Sequence, residues 1–263
     1  METAAQGYQK ESNSVQKRDG ELFITGDVGP QAGDAVLDLG CGSGELSALL
    51  AKLVGPEGKV VGVDPDRERI LLAQTSYSEI SNLSFLEGSD SNFPGNGVET
   101  YDIIFCHLVL HWISDKQRVF FNMYKALKKG GKIALQYGDH CPQFLSHAYK
   151  ILNPENEKRL SQMFVFESRS EVEKYCTSAG FVILKSCDCE LQFAFENIEA
   201  LSKWTWSTTH GVFDISLVTE ARSQEFLALH SDKDGKPNLD FRGVKEHSTH
   251  SRLIAVKPAT GLK

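Results

Sequence analysis

Long apolar runs are missing from this chain of 263 residues; none approaches the ~20 residues that a membrane span needs. Excess positive charge is missing as well. The chain carries 28 basic and 35 acidic side chains, a net charge of −7, with no lysine- or arginine-rich tract to mark a nucleic-acid face. Cysteine is scarce: six residues, at positions 41, 106, 141, 176, 187 and 189, two of them inside apolar strand-like runs. That pattern reads as reduced thiols rather than a disulfide frame. The first twenty residues, METAAQGYQKESNSVQKRDG, are polar and lack the apolar core of a secretion signal. The expectation is a cytoplasmic protein with no membrane and no nucleic-acid partner. Repeats and low-complexity tracts are absent too, and a hydrophobic content of 41% excludes wholesale disorder.

What is present is an alternation of short apolar runs with helical patterns. Strand candidates lie at 35–39 (AVLDL), 59–63 (KVVGV), 83–87 (LSFLE), 101–106 (YDIIFC) and 132–137 (KIALQY). Their continuous Val, Ile, Leu and Phe fits parallel strands covered on both faces. Helical patterns fall at 45–54, 67–80 and 115–128, the last closed by the basic and glycine residues of KKGG at 128–131. This spacing predicts right-handed βαβ crossovers and an α/β, doubly wound, mostly parallel sheet. Further on, 168–180 reads as a helix, 181–195 as a long strand and 248–257 as a final strand. The chain is expected to be a single domain over 1–263. A helical cap is expected from an N-terminal segment, 1–30, and from an insertion, 196–246, between the last two strands.

The segment 36–44, VLDLGCGSG, sets Gly40, Gly42 and Gly44 directly after the first strand and ahead of an amphipathic helix. Glycines there allow a tight turn and the close approach of a ligand. Twenty residues beyond Gly44, Asp64 closes the second strand in VVGVDPD, where a carboxylate can accept bonds from both ribose hydroxyls. The spacing is GxGxG; the dinucleotide fingerprint would need glycine where Glu45 stands. Glu45 and Asp38 would also repel a pyrophosphate. A ribose-bearing cation suits these acids better, and S-adenosyl-L-methionine has a sulfonium, an ammonium and no phosphate.

DLGCGSG followed by VVGVDPD resembles the first two motifs of class I S-adenosylmethionine-dependent methyltransferases, and the YDIIF and LKKGGKIAL segments extend the likeness. The resemblance implies a seven-stranded Rossmann-like sheet. It also implies that Asp38, Gly40, Cys41, Gly42 and Gly44 face the methionine half of the cofactor. Asp64 would take the ribose, with Pro65 beside the adenine. The family's acid after the third strand corresponds here to Ser89 or Asp90, and His107 and Leu108 would line the middle of the cofactor.

Two further segments, NSVQKRD at 13–19 and LHWISD at 110–115, are similar to those of the juvenile hormone acid and trans-aconitate methyltransferase group, which esterifies small carboxylic acids. On that resemblance Gln16 and Trp112 hold the acceptor carboxylate, which is anionic at neutral pH and needs no base. An amine or phenol acceptor would instead call on His111 or His210. Trp204 and Trp206 stand two apart and so face differently on a helix; one is expected in the acceptor pocket and the other on the sheet. Tyr137 is a candidate for the pocket rim. No metal is expected, because Cys187 and Cys189 lack a second ligand pair. The expected partner is a small carboxylic acid with an apolar body, the expected state a monomer or homodimer. An N- or C-methyltransferase and a silent cofactor-binding subunit remain as alternatives.

Overall fold

The computed structural model describes residues 2–11, 15–243 and 249–259. Seven strands form one sheet: β1 (Ala35–Leu39), β2 (Lys59–Asp64), β3 (Leu83–Glu87), β4 (Tyr101–His107), β5 (Leu127–Gly138), β6 (Val182–Glu190) and β7 (Thr249–Val256). Their order is β3-β2-β1-β4-β5-β7-β6, with β7 antiparallel to both neighbours and the rest parallel. The order reverses at β1, which pairs β2 through Val36↔Val60 and β4 through Val36↔Ile103. In a doubly wound sheet the crevice beyond such a reversal is where ligands bind.

Alternation along the strands divides the core in two. Leu37, Leu39, Ile104 and Cys106 face one layer with Val119, Phe120 and Met123. Val36, Ile103 and Phe105 face the other with Leu50, Ala51 and Val54. The two helices that supply these partners are Lys116–Ala126 (α5) on the first face and Glu45–Val54 (α3) on the second. Each fully buried Leu, Val, Ile or Phe contributes about 1.5–3 kcal/mol, so both faces of the central strands must be apolar. That is why these strands are continuous hydrophobic runs. The remaining helices are α1 (Ala4–Glu11), α2 (Gln16–Phe23), α4 (Arg67–Ser76), α6 (Gln143–His147), α7 (Glu157–Gln162), α8 (Arg169–Ser178), α9 (Ile198–Thr208) and α10 (Glu220–Leu229).

Several sequence expectations are corrected. The KKGG tract does not end a helix: α5 stops at Ala126 and the tract lies inside β5. Gly130, at φ +81°, donates its N–H to Lys257 O, and Lys257 N–H returns to Gly131 O, so the glycines shape a strand irregularity joined to the end of β7. The long strand expected over 181–195 ends at Glu190. Phe193 and Phe195 leave the sheet and bond instead to Phe241 and Leu239. Tyr137 is fully buried in the core rather than at a rim. The segment between β5 and α8, in which no element was anticipated, carries α6, a π-helical turn at Ala148–Leu152, and α7. Of the motif at 13–19, Asn13 and Ser14 lie outside the described residues, as do 244–248, where the insertion meets the final strand.

Candidate active site

The first turn after β1 is dictated by backbone geometry. Gly40 and Gly42 have φ of +81° and +55°, where a side chain is strained. A Cβ at Gly40 would lie 2.2 Å from Val109, and one at Gly42 2.9 Å from Tyr8. The turn is pinned to β2 by Gly40 N–H and Cys41 N–H, both donating to Val63 O. The buried Cys41 side chain packs with Ile70, Ala73 and Phe85. Asp64 Oδ2 accepts from Gly42 N–H and Oδ1 from Asp66 N–H, each at 2.9 Å. Each oxygen keeps a lone pair for a hydroxyl. Asp38 is buried and accepts from Ser47 Oγ at 2.5 Å. Burial pushes its carboxyl up to about 7, helped by the nearby charges of Asp64 and Glu45 and opposed by Ser47. The acids Asp38 and Asp64 beside this turn, with Glu45 lining the same hollow as Asp38, fit a cationic, ribose-bearing cofactor.

The adenine end expected at β3 is a separate hollow of about 270 Å³, lined by Pro65, Ser89, Asp90, Val109 and Trp112. Asp90 forms an ion pair with Arg118 at 3.6 Å. At the end of β4, Leu108 takes a left-handed φ of +58°, rare for a branched side chain, while its N–H donates to Gln136 O at 2.7 Å. Strain of this kind is held only where surrounding structure enforces it.

Helix α2 lies across the sheet and brings Gln16 to the cleft. The anchor is Asp19, unremarked in the sequence. Its Oδ2 lies 3.1 Å from His107 Nε2 and also accepts from Gln136 Nε2; its Oδ1 accepts from Arg252 at 3.1 Å. Burial would raise the Asp19 carboxyl, but the bonds from His107, Gln136 and Arg252 outweigh it and hold it below the ordinary range. Tyr8 of α1 roofs the loop with the Arg69 guanidinium 3.9 Å over its ring. Arg69 in turn donates to Ser207 O, joining α4 to α9.

From the cleft a chamber of about 310 Å³ opens under the cap. Gln16, His107, Leu108, His111, Trp112 and His210 all border it, so the sequence candidates for acceptor and cofactor meet in one space. Trp112 packs against Phe164 and His210, with ring centroids at 4.5 and 5.3 Å. His210 Nδ1 lies 2.9 Å from Asp66 Oδ2, which ties the cap to the end of β2. His111 Nδ1 accepts from Gly138 N–H at 3.3 Å, and burial lowers its pKa to about 3. Trp204 lines the chamber; Trp206 packs against Gly7 of α1 rather than on the sheet, which corrects that expectation. Sequence reasoning missed Tyr8, Arg69, Asp19 and the aromatic residues Tyr149, Phe164, Phe166 and Phe193. They come from six separate stretches, and only the folding of the chain gathers them. No group of metal-ligating side chains occurs among the described residues, nor any helix long and apolar enough to cross a membrane.

A glycine turn and an acid at the end of the next strand, set at the reversal point of this sheet, are the marks of a class I, S-adenosylmethionine-dependent methyltransferase. The chain belongs to the methyltransferase-domain family, which matches residues 30–213. It is 29% identical to malonyl-[acyl-carrier protein] O-methyltransferase 1 of Ilyobacter polytropus, over 84% of this chain and 80% of that one. It is 30% identical to trans-aconitate 2-methyltransferase of Deinococcus radiodurans, over 84% and 85%. With juvenile hormone acid O-methyltransferase of Bombyx mori it shares 24% identity over 74% of each. The fold is also that of the Bacillus subtilis YcgJ protein, with a TM-score of 0.60 and 18% identity over 91% of this chain and 97% of that one.

Proposed function

We propose that the protein transfers the methyl group of S-adenosylmethionine to the carboxylate oxygen of a small monocarboxylic acid with an apolar body. The observation that carries this reading is the chamber wall. It is built from Trp112, Tyr149, Phe164, Phe166, Phe193 and Trp204, and Arg69 is the only lysine or arginine among the described residues lining it. That guanidinium lies over the Tyr8 ring, donates through Nη2 to Ser207 O and has its charge paired with Asp66 at 3.6 Å, although its Nε has no hydrogen-bond partner among the described residues. A chamber without a free lysine or arginine suits one carboxylate held by neutral donors, and suits a polycarboxylate poorly.

The cofactor, once held by the Gly40–Gly44 turn, Asp38 and Asp64, supplies a methyl already attached to a good leaving group. The chain's own task is alignment and dryness. The Gln16 amide and the Trp112 indole N–H are the donors for the acceptor carboxylate, and the aromatic wall keeps water out. Orientation of this kind accounts for about 7–11 kcal/mol of a barrier. The support for a carboxylate over an amine lies in His111. With Nδ1 accepting from Gly138 and a pKa lowered to about 3, it is a poor base at neutral pH. His210 is lowered too, by burial and by Arg69, despite its bond to Asp66.

The test uses methyl-labelled S-adenosylmethionine with a panel of apolar monocarboxylic acids, amines and phenols, sorting product by release of methanol in mild base. Base-labile label is expected, with kcat/KM lowered about a hundredfold in Gln16→Ala and in Trp112→Phe, each losing one hydrogen bond to a charged group. Base-stable label would overturn the carboxylate reading.

A further inference from the structure

Two buried donors in the chamber wall have no use in methyl transfer to a carboxylate alone. Tyr149 is 1% exposed and Trp204 6%, and both line the chamber. Yet Tyr149 Oη and Trp204 Nε1 have no hydrogen-bond partner among the described residues. They come from different elements, Trp204 from α9 and Tyr149 from the π-helical turn that continues α6. A π turn shifts the helical register and so redirects a side chain, a device common at functional sites. Both residues belong to the apolar cluster of the cap, with Phe144, Phe193 and Phe213. The cofactor turn contributes nothing to that cluster, and neither Gln16 nor Trp112, the donors assigned to the carboxylate, is a member of it.

A buried donor without a partner costs stability, and most folds provide one. Phenylalanine would fill the place of Tyr149 without that cost, and so would an apolar ring in place of the indole. The orphaned groups are therefore explained by a partner that arrives with the ligand. We propose that Tyr149 and Trp204 form a second recognition subsite for a neutral hydrogen-bond-accepting oxygen, a hydroxyl, carbonyl or ether, on the apolar body of the acceptor. The acceptor class is then an oxygenated monocarboxylic acid, with the second oxygen separated from the carboxylate by a hydrocarbon stretch. This rests on the proposed carboxylate methylation. A neutral oxygen is the fitting partner because the wall there offers donors and no lysine or arginine. Tyr149 also keeps its proton, since burial pushes its phenol well above the ordinary value.

The experiment compares dodecanoic acid with hydroxy and oxo derivatives in which the oxygen is moved stepwise along the chain. Affinity is read by calorimetry in the presence of S-adenosylhomocysteine, and ester formation is read separately with the methyl donor. At least one derivative is expected to bind about tenfold tighter than dodecanoic acid. The preference should shrink to near unity in Tyr149→Phe or Trp204→Phe. Ligand-free Tyr149→Phe should melt at or above the wild-type temperature, since it sheds an unsatisfied group. The subsite is overturned if no derivative gains affinity, if the preference survives both substitutions, or if Tyr149→Phe lowers the melting temperature, which would reveal an internal partner. A preference lost in the variants without any ester formed would uphold the subsite and sink the carboxylate reading. Ester formed without a preference would do the reverse.

Discussion

Asp38 and His111 are both buried, and burial moves them in opposite directions. The carboxyl of Asp38 rises to about 7, so the ligand-free fold binds a proton that the unfolded chain, near 3.9, has released. Its contribution to stability is therefore present below about pH 4 and is lost as pH rises toward 7. His111 drops to about 3, so the unfolded chain binds a proton that the fold refuses. Its contribution is present above about pH 6.5 and is lost as pH falls. Between about pH 4 and 6.5 the two slopes oppose each other, each near 1.4 kcal/mol per pH unit. Urea denaturation should show the wild-type-minus-variant difference sloping one way for Asp38→Asn and the other for His111→Gln; equal signs would show that one of the assignments is wrong. A bound sulfonium and ammonium favour ionised Asp38, so cofactor affinity should weaken by up to tenfold per pH unit below about pH 7. Calorimetry should find that dependence flattened in Asp38→Asn.

Helix α2 shows what an element owes to one side chain. Its sequence, QKRDGELF, is polar, buries only Gly20 and Phe23, and has no side-chain cap. Propensity and apolar burial alone would leave it marginal. Asp19 attaches it to β4, β5 and β7 through His107, Gln136 and Arg252, and Arg252 also covers the Phe23 ring at 4.8 Å. Removing the carboxylate leaves buried donors unpaired, so Asp19→Ala should cost about 3 kcal/mol. Because Gln16 sits on the same helix, the variant's folded fraction should show a raised KM for the acceptor as well. A melting temperature unchanged from wild type would mean that α2 is held by something else. The lowered carboxyl of Asp19 adds a pH signature: its stabilisation is present above about pH 4 and is lost on further acidification.

Across the whole molecule, the active site is made where the sheet's strand ends meet a cap drawn from distant stretches. Tyr8 of α1 lies over the glycine turn, and α1 packs on α9, whose Ser207 carbonyl receives Arg69. Ligand and cap therefore stabilise each other. S-adenosylhomocysteine at a hundred times its Kd should add about 2.7 kcal/mol to stability. A chain lacking residues 1–11 should bind it more weakly and gain less in melting temperature at the same concentration. Equal gains would show that the N-terminal helix takes no part in holding the cofactor.

The sheet, the glycine turn and Asp64 were legible in the linear chain because their causes are local. A doubly covered strand must be apolar along its length, a turn at φ +81° or +55° demands glycine, and the acid must follow the next strand at a set distance. Helix α3, too, was read to its true bounds from periodicity alone. The pocket was not legible in the same way. Trp112 and Gln16 were found by likeness, and Asp19 lay in the same family-like segment without a role assigned to it, but nothing near Tyr149 or Phe164 in the chain distinguishes them from ordinary core residues. Their meaning depends on partners far away: Asp19 on Arg252, Trp112 on Phe164 and His210, Arg69 on Tyr8 and Ser207. Local backbone chemistry thus determined the scaffold and the cofactor turn. Only tertiary packing decided which rings wall the chamber, because burial and the presence or absence of a hydrogen-bond partner are properties of the folded chain.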